Sequence, residues 1–269
     1  VPDEDAGASG EEKPEEDKKE SVNPDNMKVV YCTIGPLLLS GLYMQYPSIV
    51  MPAEAEMRGI SSESVGFIIA AETIGQLVAL PAAPWLTATF PKLNPIKLIR
   101  VSTMASALGA TAIGVASIIP FDEPIAFTWY VISLRFMMGA ALAIAQVAEE
   151  MLLFLLLPPQ TLAGFLGILN SARLLTSLAG PPLGAFLYEK GCWALSFGVS
   201  GALLALTCSA LLLTRGLEAT APLKPKSPVS ARDLLAIPDV WLSITFMFVF
   251  VAMGSFLIPL IEPWLTSEP

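Results

Sequence analysis

A chain of 269 residues is long enough for one large or two ordinary soluble domains, but 54% hydrophobic against 14% charged residues leaves too little charge to cover a water-facing surface. The charge is also uneven: residues 1–28 hold ten of the 24 acids and four of the 15 bases, which puts that stretch near −6 and everything after it near −3. Without a single histidine, a Ser-His-Asp triad, a Cys-His pair and a His-liganded zinc or haem are excluded, and neither a metal nor a cofactor is expected.

Residues 1–28 come first in chain order. Their EEKPEEDKKE core has almost nothing apolar to bury, so it cannot offset the entropy of ordering and is expected to be a disordered acidic tail, either a solvated leader or a partner-binding segment. A membrane-spanning helix needs about 20 apolar residues. Runs of that kind occupy residues 29–51, 65–86, 97–119, 127 to beyond 147, 162–188, 192–214 and 240–261. Short segments rich in turn residues or charge separate them, at 52–64, 91–95, 120–124, 158–160 and 189–191, with a longer one at 215–239. The first run exceeds a signal-peptide h-region, lacks an A-x-A cleavage site and is followed by six more, so it reads as a retained span. Cys32, Cys192 and Cys208 stand alone in apolar runs, with no C-x-x-C spacing, and read as small hydrophobes.

The expected fold class is therefore all-α, a polytopic membrane bundle. It comprises the tail 1–28, six spans over 29–214, a cytoplasmic loop at 215–239 and a seventh span within 240–269. Lysine and arginine in short loops set orientation. Lys92, Lys97, Arg100, Arg215, Lys224, Lys226 and Arg232 fall on one side, against Arg58 and Lys190 on the other, which puts the N-terminus in the cytoplasm.

A shift of 98 residues lays spans one to three on spans four to six. Gly66 and Phe67 fall on Gly164 and Phe165, Leu77 on Leu175, Leu80 on Leu178, Pro84 on Pro182 and Gly41 on Gly139, while Glu72 falls on Asn170. One offset serving three helices points to a repeat of 29–119 in 127–214. Because three spans is an odd number, the second copy enters from the opposite face, the inverted arrangement that suits alternating access.

Charges inside spans cost several kcal/mol unless they pair, snorkel or face a watery cavity, so each is a candidate for function. Glu72 lies about 10 Å below the start of span two and Arg135 about 12 Å below the start of span four, both descending from the same side. They are expected to form a buried pair, with Arg173 joining it or facing the pathway; the alternative is that Arg135 snorkels outward and Glu72 holds a proton. Arg135, Gly139, Ala143, Gln146 and Glu149 recur at helical steps along one face of span four. Glu149 and Glu150 fall near its cytoplasmic end, where they are either a solvated pair or a proton-carrying carboxylate. Span five repeats the pattern with Asn170, Arg173, Ser177, Gly180 and Gly184. Its Gly180-Pro181-Pro182-Leu183-Gly184 is expected to break the helical hydrogen-bond ladder, as Pro81 and Pro84 distort span two. The candidate pathway thus takes in Glu72, Gln76, Arg135, Gln146, Glu149, Asn170 and Arg173, and the candidate moving element Gly180, Pro181, Pro182 and Gly184.

Gly180-Pro181-Pro182-Leu183-Gly184-Ala185-Phe186-Leu187-Tyr188 resembles the fifth-helix antiporter motif of the major facilitator superfamily, and Arg135-Phe136-Met137-Met138-Gly139 its fourth-helix R-x-x-x-G motif. Ile258-Pro259-Leu260-Ile261-Glu262-Pro263 is similar to the seventh helix of that superfamily's vesicular amine and polyamine transporter branch. The likeness covers about residues 29 to 265. It departs in the loop after span two, where Leu86 and Lys92 are kept but the usual acid and both glycines are missing. Members have twelve spans, so a chain that begins at Val1 and stops soon after span seven looks like a fragment lacking its C-terminal bundle. The resemblance implies a proton-coupled antiporter of an amine, polyamine or drug-like cation in a vesicular, other internal or plasma membrane. Its partners would be the lipid bilayer, a small-molecule substrate and protons, with no nucleic acid. No G-x-x-x-x-G-K-[ST] phosphate loop is present to supply ATP drive, and no enzymatic activity is expected. The alternative is a heptahelical receptor or sensor, which would place its N-terminus outside.

Overall fold

In the computed structural model the described residues are 24–89, 94–119 and 123–212, with residue 245 alone beyond them. Most of the acidic tail, the loop at 215–239 and the seventh span therefore lie outside the described residues. The chain divides into two compact units, Val1–Pro222 and Leu223–Pro269, and the seven helices of the described residues belong to the first. They are α1 (Pro24–Met44), α2 (Tyr46–Met57), α3 (Ser62–Ala79), α4 (Ala82–Thr89), α5 (Pro95–Val115), α6 (Pro124–Leu156) and α7 (Pro159–Leu212). The described residues contain no β-strand.

Local chemistry sets most of these boundaries. The apolar run at 29–51 is divided between α1 and α2 at Gln45, just before Pro47 occupies the first turn of α2. The run at 65–86 is likewise divided between α3 and α4, around Leu80 and Pro81, since a proline supplies no N–H and crowds the preceding turn. Gly59, at φ 66°, turns the chain from α2 towards α3. Ser61 caps α3 by accepting from the Ser64 N–H at 3.3 Å, and Asn94 caps α5 by accepting from the Ile96 N–H at 3.1 Å, with Pro95 in the first turn. A proline also opens α6 and α7.

By length and composition α5, α6 and the Pro159–Gly191 part of α7 are long and apolar enough to cross a membrane, and Trp193–Ser209 is a shorter apolar stretch. The 54 residues of α7 are not one straight rod. Leu169 packs with Val30 of α1, while a Cβ on Gly35, just over one turn along α1, would lie 3.4 Å from Thr207. In a straight helix residues 169 and 207 would be about 57 Å apart. The helix therefore doubles back between residues 169 and 207.

The helices form one bundle in which α6 packs on α3 and α5, and α7 packs on α1, α2 and α5. Its largest apolar cluster joins Val50 and Met51 of α2, Ile68 of α3, Ile113 of α5, Phe127 and Val131 of α6 and Trp193 of α7. Two smaller clusters close the end where α1 begins. One links Val29, Ile99 and Leu152, and the other links Val30, Leu153 and Leu162. On the outside, Phe67, Leu77, Trp129, Leu175 and Leu178 are exposed, as lipid-facing side chains of such a bundle must be.

Candidate functional site: a buried ion pair and a second polar cluster along one helix

The first cluster lies where α3 crosses α6. Arg135 Nη2 donates to Glu72 Oε2 at 2.5 Å, and both side chains are almost wholly buried, at 4% and 3% exposure. Arg135 Nε also donates to the Ile68 carbonyl at 2.9 Å, so the guanidinium grips α3 at two points one turn apart. Glu72 Oε1 is buried without a hydrogen-bond partner. The expected pair is present, and Arg135 does not snorkel.

Glycine makes this approach possible. A Cβ on Gly139 would run into the Glu72 carbonyl oxygen, and one on Gly75 into the Phe136 carbonyl oxygen. Each helix thus offers a bare patch to the other's backbone, which brings two helices together without a hydrophobic driving force between them. Gln76, one residue past Gly75, is half-buried.

Arg173 lies elsewhere. Its Nη2 donates to Gln146 Oε1 at 2.8 Å, eleven residues beyond Arg135 and so about 16 Å along α6. It belongs to the α1–α7 crossing: a Cβ on Gly41 would meet the Arg173 carbonyl oxygen at 2.9 Å and Thr176 Oγ1 at 2.7 Å. Span five packs on span one, not span two, and this keeps Arg173 out of the Glu72–Arg135 pair.

Glu149 is not a solvated end residue. It is 2% exposed, and Oε1 has no hydrogen-bond partner, because α5 lies across it; Glu150 is the exposed member of the two. Glu149 and Gln146 line a cavity of about 10 Å³ together with Pro36 of α1, Ser106 of α5, Leu142 of α6 and Leu204 of α7. Arg173 acts electrostatically on Glu149 from α7. The stripe on span four is therefore two sites: Arg135 with Glu72, and Gln146 with Glu149 and Arg173.

The stripe on span five is only partly gathered. Gly180 and Gly184 are buried, Arg173, Ser177 and Pro181 are half-buried, and Asn170 and Pro182 are exposed. Pro181 and Pro182 both lie inside α7, so the helix continues through them although neither supplies an N–H to its ladder. A Cβ on Gly180 would run into the Leu42 carbonyl oxygen, so α1 braces the helix where the two prolines remove donors from its ladder.

A third cluster, at the opposite end from the start of α1, is one that reading the sequence missed. Glu54, 5% exposed, accepts from Arg58 Nε at 2.6 Å and from the Tyr188 hydroxyl at 3.1 Å. The Arg58 guanidinium sits 4.2 Å from the Phe127 ring centroid, and Phe127 continues to Trp193 at 5.7 Å. Trp193 Nε1 donates to the Ile113 carbonyl at 2.6 Å. The (i, i+4) spacing of Glu54 and Arg58 is the one signal the sequence carried. Among the described residues, no three His, Cys, Asp or Glu side chains gather closely enough to hold a metal.

The comparisons with known proteins fit this architecture. No curated protein sequence matches the chain. Among solved structures, that of a D-xylose-proton symporter matches with a TM-score of 0.52 at 19% identity, over 86% of this chain and 53% of that one, a likeness of fold. The chain thus spans about half the length of that protein. A family model described as Major Facilitator Superfamily matches residues 37–267, well over half of the sequence. With its apolar helices and their buried charges, the chain belongs to the major facilitator superfamily of integral membrane proteins.

Proposed function

We propose that the chain is the N-terminal part of a secondary transporter that moves a small organic cation, an amine, polyamine or drug-like molecule, in exchange for protons. The observation that carries this reading is the buried Glu72–Arg135 pair. Two charges held inside an apolar bundle cost several kcal/mol to desolvate, and a structural crossing needs neither of them. An ion pair also has two states, made and broken, and breaking it leaves the α3–α6 crossing held by the Arg135–Ile68 hydrogen bond and the glycine contacts. Such a two-state contact is what alternating access requires of a bundle that must rock.

The domain plan belongs to the same proposal. Residues 29–214 would be a six-span bundle of two inverted triplets, 29–119 and 127–214, followed by a cytoplasmic loop at 215–239 and the first span of a second bundle. The N-terminus would lie in the cytoplasm, and the membrane would be vesicular, another internal membrane or the plasma membrane. Reciprocal packing supports the repeat. Gly41 and Gly139 are equivalent at the 98-residue offset, and each packs on the other triplet, Gly41 on Arg173 and Thr176, Gly139 on Glu72. Gly75, whose equivalent is Arg173, completes the α3–α6 crossing. Membership of a transporter superfamily removes the ground for the heptahelical receptor, and the resemblance of residues 258–263 to the amine and polyamine branch favours a cationic substrate.

Uptake by vesicles containing the full-length protein, under an imposed pH gradient, tests the function. Amine accumulation should follow an acidic lumen and collapse when the gradient is dissipated. Flux indifferent to the gradient rules out proton exchange.

A further inference from the structure

Hydroxyls on these helices share a common habit of bonding back to a carbonyl of their own helix, for Thr33, Thr176 and Thr207 three residues earlier. Thr111, Thr128, Ser133, Ser171, Ser200 and Ser209 each donate to the carbonyl four residues earlier, at 2.8–2.9 Å. Ser106 breaks it: 0% exposed, its Oγ has no hydrogen-bond partner. The other buried unpartnered oxygens include Glu149 Oε1, and Ser106 and Glu149 line the same cavity between α5 and α6. Leaving a buried polar atom unsatisfied is costly, so two facing one space call for a shared ligand. The volume, about 10 Å³, is what a single water requires. Thr103, Ser106, Gln146 and Glu149 bring oxygens to this wall, but the Gln146 oxygen already accepts from Arg173 and the rest of the lining is aliphatic, which leaves too few for a bare alkali cation.

We infer that this cavity is a water site bridging Ser106 and Glu149, and that the hydrated Glu149 is where the protein binds its exchangeable proton. The inference deepens the proton-coupled reading and rests on it, by naming the carboxylate. Glu72 has an arginine on its second oxygen and lies under two glycine crossings; Glu149 has an oxygen open to a water. In uptake the water passes a proton to Glu149 Oε1 and regains one from the solvent side, and in release both transfers reverse, so atoms and charge balance. The charged and titratable groups around the site are Arg173 on the first part of α7, Glu150 next to it on α6, Arg100 further back on α5 and Cys208 on the second part of α7; α1 brings Pro36 to the wall.

Two measurements on the purified full-length protein, neither needing the substrate, test this. In X-ray hydroxyl-radical footprinting, bound water marks the side chains beside it, so Leu142 and Leu204 should be modified well above Leu98 and Phe197, which are buried to the same 6% and 2% exposure away from the cavity. Ser106→Val fills the cavity and Ser106→Ala removes the hydroxyl without added bulk. Each should lower that modification roughly tenfold, the occupancy lost with one hydrogen bond of ordinary strength. Leu142 and Leu204 as inert as Leu98 and Phe197 would overturn the water. Dicyclohexylcarbodiimide, which reacts with protonated carboxyls in apolar surroundings, should label Glu149 ahead of Glu72, and Glu149→Gln should remove that label. Labelling of Glu72 with Glu149 untouched overturns the assignment, and protection of Glu149 by sodium against choline means a metal cation occupies the site instead. Labelling at Glu149 together with flux indifferent to a pH gradient would fault the transport reading and leave the site standing.

Discussion

Removing the two partners of the ion pair one at a time and then together separates its strength from that of the glycine crossing around it. Methionine matches the length of glutamate, is shorter than arginine but close to it in volume, and brings no charge, so Glu72→Met, Arg135→Met and the double variant change the packing between α3 and α6 little. Orphaning one member of a buried pair costs about 3–5 kcal/mol, whereas replacing both with apolar side chains is often close to neutral. The two singles should differ. After Arg135→Met, the carboxyl of Glu72 can take up a proton and escape much of the penalty, while after Glu72→Met the guanidinium cannot lose its charge and keeps only the Ile68 carbonyl, 2.9 Å from its Nε. Glu72→Met should thus be the worse single, near the top of that range, with Arg135→Met near the bottom. The double should lie within about 1 kcal/mol of the parent. The free energies come from reversible unfolding in mixed micelles at neutral pH. Interhelical hydrogen bonds in membrane proteins couple by about 0.6 kcal/mol on average, so a coupling no larger than that between Glu72 and Arg135 refutes the reasoning.

Glycine substitutions should sort by what a Cβ meets. Gly139→Ala and Gly75→Ala each drive a methyl into the opposing backbone and should cost about 1–3 kcal/mol in the same unfolding assay. Gly164→Ala has open space and should be neutral, or stabilise by up to about 1 kcal/mol through better helix propensity. At the far end, Tyr188→Phe removes one hydrogen bond to the Glu54 carboxylate and should cost about 1.5–3 kcal/mol, less wherever solvent reaches the pair. Glu54→Gln should weaken the link to Arg58 as well, with a loss larger than Tyr188→Phe alone; equal losses would mean that Arg58 contributes only through the Phe127 ring.

Much of the fold was legible because a bilayer imposes length. The runs at 97–119 and 127–147 emerge as the single helices α5 and α6. The run at 29–51 emerges as two, since hydropathy counts apolar residues and is blind to the proline that ends a turn, at Pro47 as at Pro81. The pairing of Glu72 with Arg135 was legible for a simple reason. Both sit at similar distances from helix starts on the same side, and depth is the one tertiary coordinate a spanning helix reveals. Azimuth is not revealed. Arg173 lies at a plausible depth for the same cluster yet faces Gln146, because its helix packs on α1. The solvated reading of Glu149 fails for a packing reason: residues of α5 close the cavity it lines, so Glu149 is buried while its neighbour Glu150 is exposed. The Glu54 cluster escaped notice because its members are spread from residue 54 to residue 193, with only Arg58 near Glu54 in sequence.

Luminal pH tests the central claim most directly. Vesicles containing the full-length protein, loaded with a pH-sensitive dye and held without an initial gradient, would receive a permanently charged quaternary ammonium probe outside, which cannot carry a proton through the lipid itself. Exchange predicts that the lumen turns alkaline as the cation enters and protons leave, and that Glu149→Gln abolishes the response. An acidifying lumen would mean that proton and substrate move together, and would contradict the account.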